Sequence, residues 1–218
     1  MRSTGSPEPA TSRIDHLVVA TNDLETGSAW LQDRLGVPLA EGGRHAVMGT
    51  HNRLLRLGPQ LYLELIAVDP AAPPPDRPRW FGLDDPALQA RLAARPRLIH
   101  WVARCADMPA APDMKVLDMA RGDYRWRIGV AADGRLPGGG LVPSLIQWAS
   151  PIHPAQRLPE VGCVLMKLEG FHAEAARIRD ALASLGLAGA LALYAAEPDE
   201  APGLVAYLKT PGGLREID

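Results

Sequence analysis

Imidazole groups and oxygen-bearing side chains recur at matching places in this 218-residue sequence. Three similar short apolar segments have as their third residues His16, His100 and Met166. Three later extended segments carry, in equivalent positions, Glu64, Gln147 and Glu216. Imidazole and carboxylate groups bind divalent metals and transfer protons, whereas a thioether is a poor ligand for the harder metal ions. The first two copies are therefore the candidates for chemistry.

A repeated structural unit must position these side chains. A strand, a helix and two or three antiparallel strands are predicted three times, over about 12–70, 96–151 and 160–218. The first helix is predicted to begin at the capping residue Asn22 and to end at Gly36, whereas prolines interrupt the second helix. A proline-rich insert, 69–95, separates the first two units, and a helix is predicted from Asp84 to Arg95 within it.

Composition argues against several classes of protein. The 23 Lys and Arg residues nearly balance the 25 Asp and Glu residues, so neither a nucleic acid nor an anionic membrane is expected as a partner. Cys105 and Cys163 are too few for a disulfide scaffold, which makes a reducing cytoplasm the expected location. Residues 1–12 lack the apolar run of a signal peptide and are predicted to form a disordered tail.

Several motifs resemble those of a known superfamily. The segment Ile14–Ala20, followed by Asn22-Asp23-Leu24, is similar to the opening of the vicinal oxygen chelate superfamily, and Thr210–Ile217 is similar to its closing turn and strand. Closer matches to its glyoxalase-like domain family are Gly42–His45, Gly49–Asn52, Leu61–Leu65, Leu145–Trp148 and His153-Pro154. The resemblance implies an α+β fold of repeated βαβββ modules that form cupped mixed β-sheets flanked by helices. It also implies a two-module domain over 13–151 and a third module over 160–218.

The resemblance further implies a metal site, because the superfamily takes one ligand from the first strand and one from the last strand of each of two paired modules. If the first two modules pair, the ligands are His16, Glu64, His100 and Gln147, a set that suits Zn(II), Ni(II), Co(II), Mn(II) or Fe(II). If the first and third modules pair, Met166 and Glu216 replace His100 and Gln147 in this set. On the alternative interpretation, the histidines are core residues and no metal binds.

Glu64 has a second possible role. Because Leu63 and Leu65 flank it, its carboxylate must point into a cleft or be buried with a partner. In a cleft, Glu64 is the predicted catalytic proton shuttle, either on a metal or free of one. Otherwise it pairs with Arg44 or Arg53 for structural reasons.

The segment from Gly42 to Asn52 concentrates polar groups just before a strand. As a substrate gate it would supply an anion-binding arginine and hydrogen-bonding groups. With a neighbouring tyrosine, the predicted substrate-binding residues are Arg44, His45, Thr50, Asn52 and Tyr62. The alternative is a flexible, solvated connection without a binding role.

These features predict a divalent-metal-dependent lyase or isomerase that acts on a small carbonyl compound through a chelated enediolate-type intermediate. One alternative is a metal-free protein that sequesters a small molecule. Another is an extradiol-type dioxygenase with iron held by His16, His100 and Glu64. An odd number of modules leaves one without an internal partner, so a homodimer is also predicted.

Overall fold

The computed structural model describes residues 12–109 and 113–218. The predicted tail, 1–12, therefore lies outside the described residues, apart from Ser12. The elements of the first part are β1 (Arg13–Ala20), α1 (Leu24–Leu35), β2 (Ala40–His45), β3 (Thr50–Gly58), β4 (Leu61–Val68), α2 (Pro86–Ala94) and β5 (Arg97–Arg104). Those of the second part are β6 (Met114–Arg121), β7 (Tyr124–Ala131), β8 (Ser144–Trp148), α3 (Pro154–Arg157), β9 (Val164–His172), α4 (Ala175–Ser184), β10 (Ala192–Ala195), β11 (Gly203–Thr210) and β12 (Gly213–Ile217).

Eight strands form one curled, half-barrel sheet in the order β2-β3-β4-β1-β5-β8-β7-β6. The two halves of this sheet repeat the same pairing: β1 is parallel to β4 as β5 is parallel to β8, and the strands outside them are antiparallel. The antiparallel pair of β1 and β5 joins the halves. The α+β fold predicted from the sequence is confirmed, and the units that share this sheet are the first and the second.

Local sequence sets the ends of the helices. The carboxylate of Asp23 accepts a hydrogen bond from the backbone N–H of Thr26 at 2.7 Å and caps α1, one residue after the predicted cap at Asn22. The helix ends at Gly36, whose φ of 73° lies in the left-handed region that favours glycine. In the insert, Asp85 caps α2 in the same way.

The third unit forms a separate four-stranded sheet in the order β10-β9-β11-β12. Its chain order of strand, helix and three strands is the predicted one, but β9 lies between β10 and β11 instead of beside the last strand. Glu216 is therefore not equivalent in space to Glu64, and Met166 is 59% exposed. The alternative ligand set with Met166 and Glu216 is not assembled with His16.

An apolar core fills the space between the two sheets, α1 and α4. Its members include Leu17, Leu31, Leu65, Trp101, Leu168, Leu182, Leu204 and Leu208. Because these side chains come from all three units, burying them removes a large apolar surface from water and holds the units together.

The insert covers the inner face of the large sheet. Trp80, Phe81 and Leu83 pack there in a second apolar cluster with residues of the strands and α2. Phe81 has a φ of 58°, which is uncommon for a residue with a Cβ atom and costs backbone strain. Through this turn the insert closes one side of the cup. In the two described ranges, no helix has the length and apolar character needed to cross a membrane.

Candidate functional site

A small cavity lies on the inner face of the curled sheet. Its volume is about 20 Å³, room for about one water molecule. Its apolar walls are Tyr62, Trp80, Phe81, Trp126, Ile128, Ile146 and Trp148, and its polar groups are His16, His45, Asn52, Glu64 and Arg121. Polar groups that converge in a mostly apolar cavity are typical of a ligand site, so this is the candidate functional site.

A larger cleft of about 550 Å³ lies elsewhere, beside α2 and the segment around Gly134. Four of the charged groups that line it form ion pairs with each other, Arg79 with Asp84 at 2.7 Å and Arg135 with Asp133 at 2.6 Å. The residues that line it include none of the site residues predicted from the sequence.

A bulge in β1 places His16. The register of β1 against β5 shifts between Ile14 and His16, so Asp15 is an extra residue in the strand pair. Two successive side chains thereby meet, and Nδ1 of His16 donates a hydrogen bond to Oδ1 of Asp15 at 2.8 Å. Nε2 of His16 faces Glu64, whose Oε2 lies 3.8 Å away.

Asp15 is the centre of a buried hydrogen-bond network. Besides His16, its carboxylate accepts hydrogen bonds from Arg104 Nη2 at 2.7 Å and Nε at 2.9 Å, from Trp148 Nε1 at 2.9 Å and from His153 Nε2 at 3.2 Å. Burial alone would raise the pKa of Asp15, but hydrogen bonds and charge from His153 and His16 hold that pKa well below its ordinary value. Asp15 is therefore an anion that fixes the orientation of His16.

Glu64 is held on its other side by Asn52. Oε1 of Glu64 accepts a hydrogen bond from Nδ2 of Asn52. The side-chain amide oxygen of Asn52, Oδ1, in turn accepts hydrogen bonds from the backbone N–H of Gly43 at 2.8 Å and from Nη1 of Arg121 at 3.0 Å. One carboxylate oxygen of Glu64 is thus occupied, and the other faces His16.

The other predicted substrate-binding residues occupy three different environments. Tyr62 stacks on His16, with ring centroids 4.5 Å apart, and its pKa is raised well above its ordinary value by burial and by the charges of Asp15 and Glu64. His45 lines the cavity, and burial lowers its pKa to about 4.

Thr50 lies behind His45, with its Oγ1 3.1 Å from His45 Nδ1. Arg44 is directed away from the cavity, because its guanidinium is mostly exposed and pairs with Asp69 at 3.0 Å. The structure therefore does not bring Arg44 together with the residues of the cavity.

Two of the four predicted metal ligands do not belong to the cavity. Nδ1 of His100 donates to the carbonyl of Gly140 at 3.0 Å, and its Nε2 accepts from the backbone N–H of Ser144 at 3.1 Å. Both ring nitrogens are therefore occupied, and burial lowers the pKa of His100 to about 4. In this structure His100 is therefore buried in the core with both ring nitrogens hydrogen-bonded.

Gln147 lies on the opposite face of β8. Successive side chains of a strand alternate between faces, and in β8 the residues that reach the cavity are Ile146 and Trp148. Gln147 instead donates a hydrogen bond from Nε2 to the carbonyl of Ala106. In this structure Gln147 does not reach the cavity, whereas Trp148 forms part of the cavity wall.

The remaining residues do not fit a complete metal site. A catalytic zinc site takes three protein ligands, whereas His16 and Glu64 supply two. Across 12–109 and 113–218, no group of three or more His, Cys, Asp or Glu side chains is arranged to hold a metal ion. What His16 and Glu64 do form is a buried acid–base pair.

Sequence reasoning missed Asp15, Trp80 and Arg121 as members or neighbours of the site. The Asp-His pair in β1 is the one signal that was available, because an adjacent carboxylate often orients a functional histidine. Arg121 ends its strand in a Gly-Asp turn that has no distinctive motif.

Comparison with solved structures finds several similar chains. A protein of unknown function from Staphylococcus aureus superposes with a TM-score of 0.54 at 14% identity, covering 95% of this chain and 86% of that one. A methylmalonyl-CoA epimerase in complex with methylmalonyl-CoA matches with a TM-score of 0.42 at 18% identity, covering 66% of this chain and 100% of that one. The epimerase from Mycobacterium tuberculosis matches with a TM-score of 0.40 at 19% identity, covering 68% and 91%.

A search of curated protein sequences finds no significant match. The family model described as a glyoxalase-like domain, in contrast, matches residues 14–186, most of the chain. The matched range contains the whole eight-stranded sheet and the candidate site. The chain belongs to the glyoxalase-like domain family.

Proposed function

We propose that the protein is a lyase or isomerase that moves a proton at the carbon next to the carbonyl group of a small compound. The observation that carries this proposal is the buried pair of Glu64 Oε2 and His16 Nε2, 3.8 Å apart, with Asp15 behind the histidine. A carboxylate and an imidazole that share a buried cavity can take a proton from a carbon atom and return one to it.

The chain's own residues suffice for the proton transfer. Glu64 Oε2 takes the proton as the C–H bond breaks. The electron pair of that bond forms a carbon–carbon double bond, and the carbonyl oxygen becomes an oxyanion. Glu64 can then pass the proton to His16, whose charged form Asp15 stabilises, as in other carboxylate–histidine pairs.

The second half of the reaction decides its class. Return of the proton to another carbon, or to the other face of the same carbon, completes an isomerisation. Loss of a leaving group from the neighbouring carbon completes a lyase reaction. The aromatic walls formed by Tyr62, Trp126 and Trp148 keep water from the oxyanion intermediate.

The test is solvent deuterium incorporation. We would incubate the protein in D₂O with a series of small aldehydes, ketones, 2-hydroxy and 2-oxo compounds and follow the C–H signals by proton NMR. Glu64→Gln keeps the shape of the side chain but removes the base, so we expect exchange to fall by a factor of about 10²–10⁴. Glu197→Gln, at an exposed position, is the matched control.

Unchanged exchange in Glu64→Gln would refute the proposed role of Glu64. If compounds of the series bind without exchanging, the result favours the metal-free binding protein. Consumption of oxygen with catechols would favour the dioxygenase.

The role of a metal is decided by direct analysis. The metal-dependent form of the reaction, predicted from the resemblance, needs ligands in addition to His16 and Glu64. We therefore expect protein purified without a histidine tag to contain far less than one divalent metal ion per chain, with the same content in His16→Ala. Stoichiometric metal that His16→Ala loses would instead support the metal-dependent form.

The homodimer is a separate prediction from the reaction. The second sheet exposes large apolar side chains, among them Met166, Tyr194 and Leu214, which supports an association through this sheet. Analytical ultracentrifugation at micromolar concentration should give a mass near twice the 23.4 kDa of the chain. A monomeric mass would contradict the prediction.

A further inference from the structure

Arg121 brings a positive charge to the candidate site. It is half-buried at the end of β6 and lines the same cavity as Glu64 and His16. Within 12–109 and 113–218, its one side-chain hydrogen bond goes from Nη1 to the amide oxygen of Asn52, at 3.0 Å. Among the described residues, no carboxylate lies within ion-pair distance of this guanidinium. A charged fork with most of its N–H groups unused is a binding group for a carboxylate.

Trp80 contributes an unused hydrogen-bond donor. Its side chain is 3% exposed and lines the cavity, yet its indole Nε1 has no hydrogen-bond partner in the parts of the chain that the structure describes. A buried N–H group without an acceptor is unfavourable, and most such groups in proteins are paired. The Trp80 ring stacks on Phe81, with ring centroids 5.2 Å apart, and meets His45 edge-on at 5.0 Å.

An outer cleft leads to Arg121 from solvent. This cleft, of about 380 Å³, is lined by Arg121 together with Gly42, Tyr124 and Arg157. The guanidinium of Arg121 lies 5.9 Å from the centre of the Tyr124 ring, and that of Arg157 lies 5.2 Å from it. Arg121 is thus shared by the outer cleft and the inner cavity, so a ligand that enters through the cleft meets this residue before Glu64.

We propose that the substrate is an anionic carbonyl compound. Arg121 binds its carboxylate at the outer cleft, and only its carbonyl end enters the inner cavity, where the carbonyl oxygen accepts a hydrogen bond from the indole N–H of Trp80. This inference rests on the proposed function, because it assigns the oxyanion formed when Glu64 removes a proton to the Trp80 donor. Arg121 releases the amide oxygen of Asn52 when the carboxylate takes its place. The substrate class is therefore small organic acids with a carbonyl group next to the exchanging carbon.

The test compares 2-oxo acids of three to six carbons with their neutral amides. Binding is followed by tryptophan fluorescence, since Trp80, Trp126 and Trp148 line the cavity. We expect at least one acid to bind about tenfold or more tightly than its amide, because a hydrogen bond to a charged group contributes at least that factor. Arg121→Gln should remove this preference, and Arg121→Lys should keep part of it.

Trp80→Phe should weaken acid and amide alike by a factor of about 3 to 10, because it removes a donor to the carbonyl oxygen and keeps the ring. Arg127→Gln, an exposed arginine of the neighbouring strand, is the control and should leave the preference unchanged. Circular dichroism and thermal melting establish that each variant is folded.

The inference is overturned if no acid of the series binds more tightly than its amide, or if the preference survives in Arg121→Gln. The proposed function fails by a different measurement, namely undiminished deuterium exchange in Glu64→Gln. Because Glu64→Gln should still prefer acids, the two failures are distinguishable.

Discussion

His16 owes its orientation to the residue that precedes it. In a regular strand, Asp15 and His16 would point to opposite faces. The bulge between Ile14 and His16 removes this alternation and lets Asp15 accept the Nδ1 proton. The repeat in the sequence identifies His16 and Glu64. The bulge that turns Asp15 toward His16 could not be predicted, because no particular residue type marks a bulge.

The loss of the Asp15 charge should cost stability. In Asp15→Asn, the amide cannot accept all five hydrogen bonds and leaves the guanidinium of Arg104 without its anion. Removal of one partner of a buried ion pair costs about 3–5 kcal/mol, so we expect a decrease of that order in the free energy of unfolding. Urea unfolding measures it. The control Asp118→Asn, at an exposed position, should change stability by less than about 0.5 kcal/mol, and equal stability of both variants would contradict the role of Asp15.

Strand register decides which predicted site residues meet. Glu64 and Gln147 are the fourth residues of β4 and β8, and the repeat therefore equates them. Side chains alternate between the two faces of a strand, so an alignment of the two units that is wrong by one position assigns a residue to the opposite face. Trp148, the next residue, lies in the cavity wall instead. The strands, the hairpin turn at Gly58 and the ends of α1 follow from local patterns, whereas this register depends on packing across the sheet.

Gly42 is required where β2 passes Asn52. A Cβ atom at Gly42 would lie 2.1 Å from Oδ1 of Asn52 and 2.3 Å from its backbone oxygen, which leaves no room for a side chain. Gly42→Ala should therefore displace Asn52 from Glu64, lower exchange activity, and destabilise the protein by about 1–3 kcal/mol.

Gly58→Ala is the matched control for Gly42→Ala. Its Cβ would meet its nearest neighbour at an ordinary 3.7 Å. We expect Gly58→Ala to keep wild-type exchange and nearly wild-type stability. Activity and urea unfolding should be measured for both variants, and wild-type behaviour of Gly42→Ala would show that β2 does not support the site.

At the scale of the whole molecule, two fully enclosed histidines make stability depend on pH. Burial lowers the pKa values of His45 and His100 to about 4, whereas an unfolded histidine titrates near 6.5. Between these pH values the unfolded chain binds more protons than the folded protein. The free energy of unfolding must therefore fall as the pH is lowered through this window.

We expect a loss of up to about 3 kcal/mol for each of the two histidines between pH 6.5 and pH 4. Urea unfolding at half-unit steps of pH measures the slope. His100→Gln removes one titrating group and should flatten the decline, whereas His51→Gln, in an outward-facing position on β3, should not. A slope of zero over this range in the wild-type protein would contradict the assignment of neutral, buried imidazoles.

The two halves of the large sheet carry different parts of the site. The first half supplies His16 and Glu64, the residues proposed to transfer the proton, and the second supplies walls and charge through Trp126, Trp148 and Arg121. Under the proposed function, substitutions of Trp126 or Arg121 change which compounds fit and leave His16 and Glu64 in place, whereas substitution of Trp148 also removes a hydrogen bond to Asp15. When the two halves of a duplicated fold have different roles in this way, single substitutions can change substrate recognition while catalysis is retained. Such a fold therefore offers an evolutionary route to new substrates.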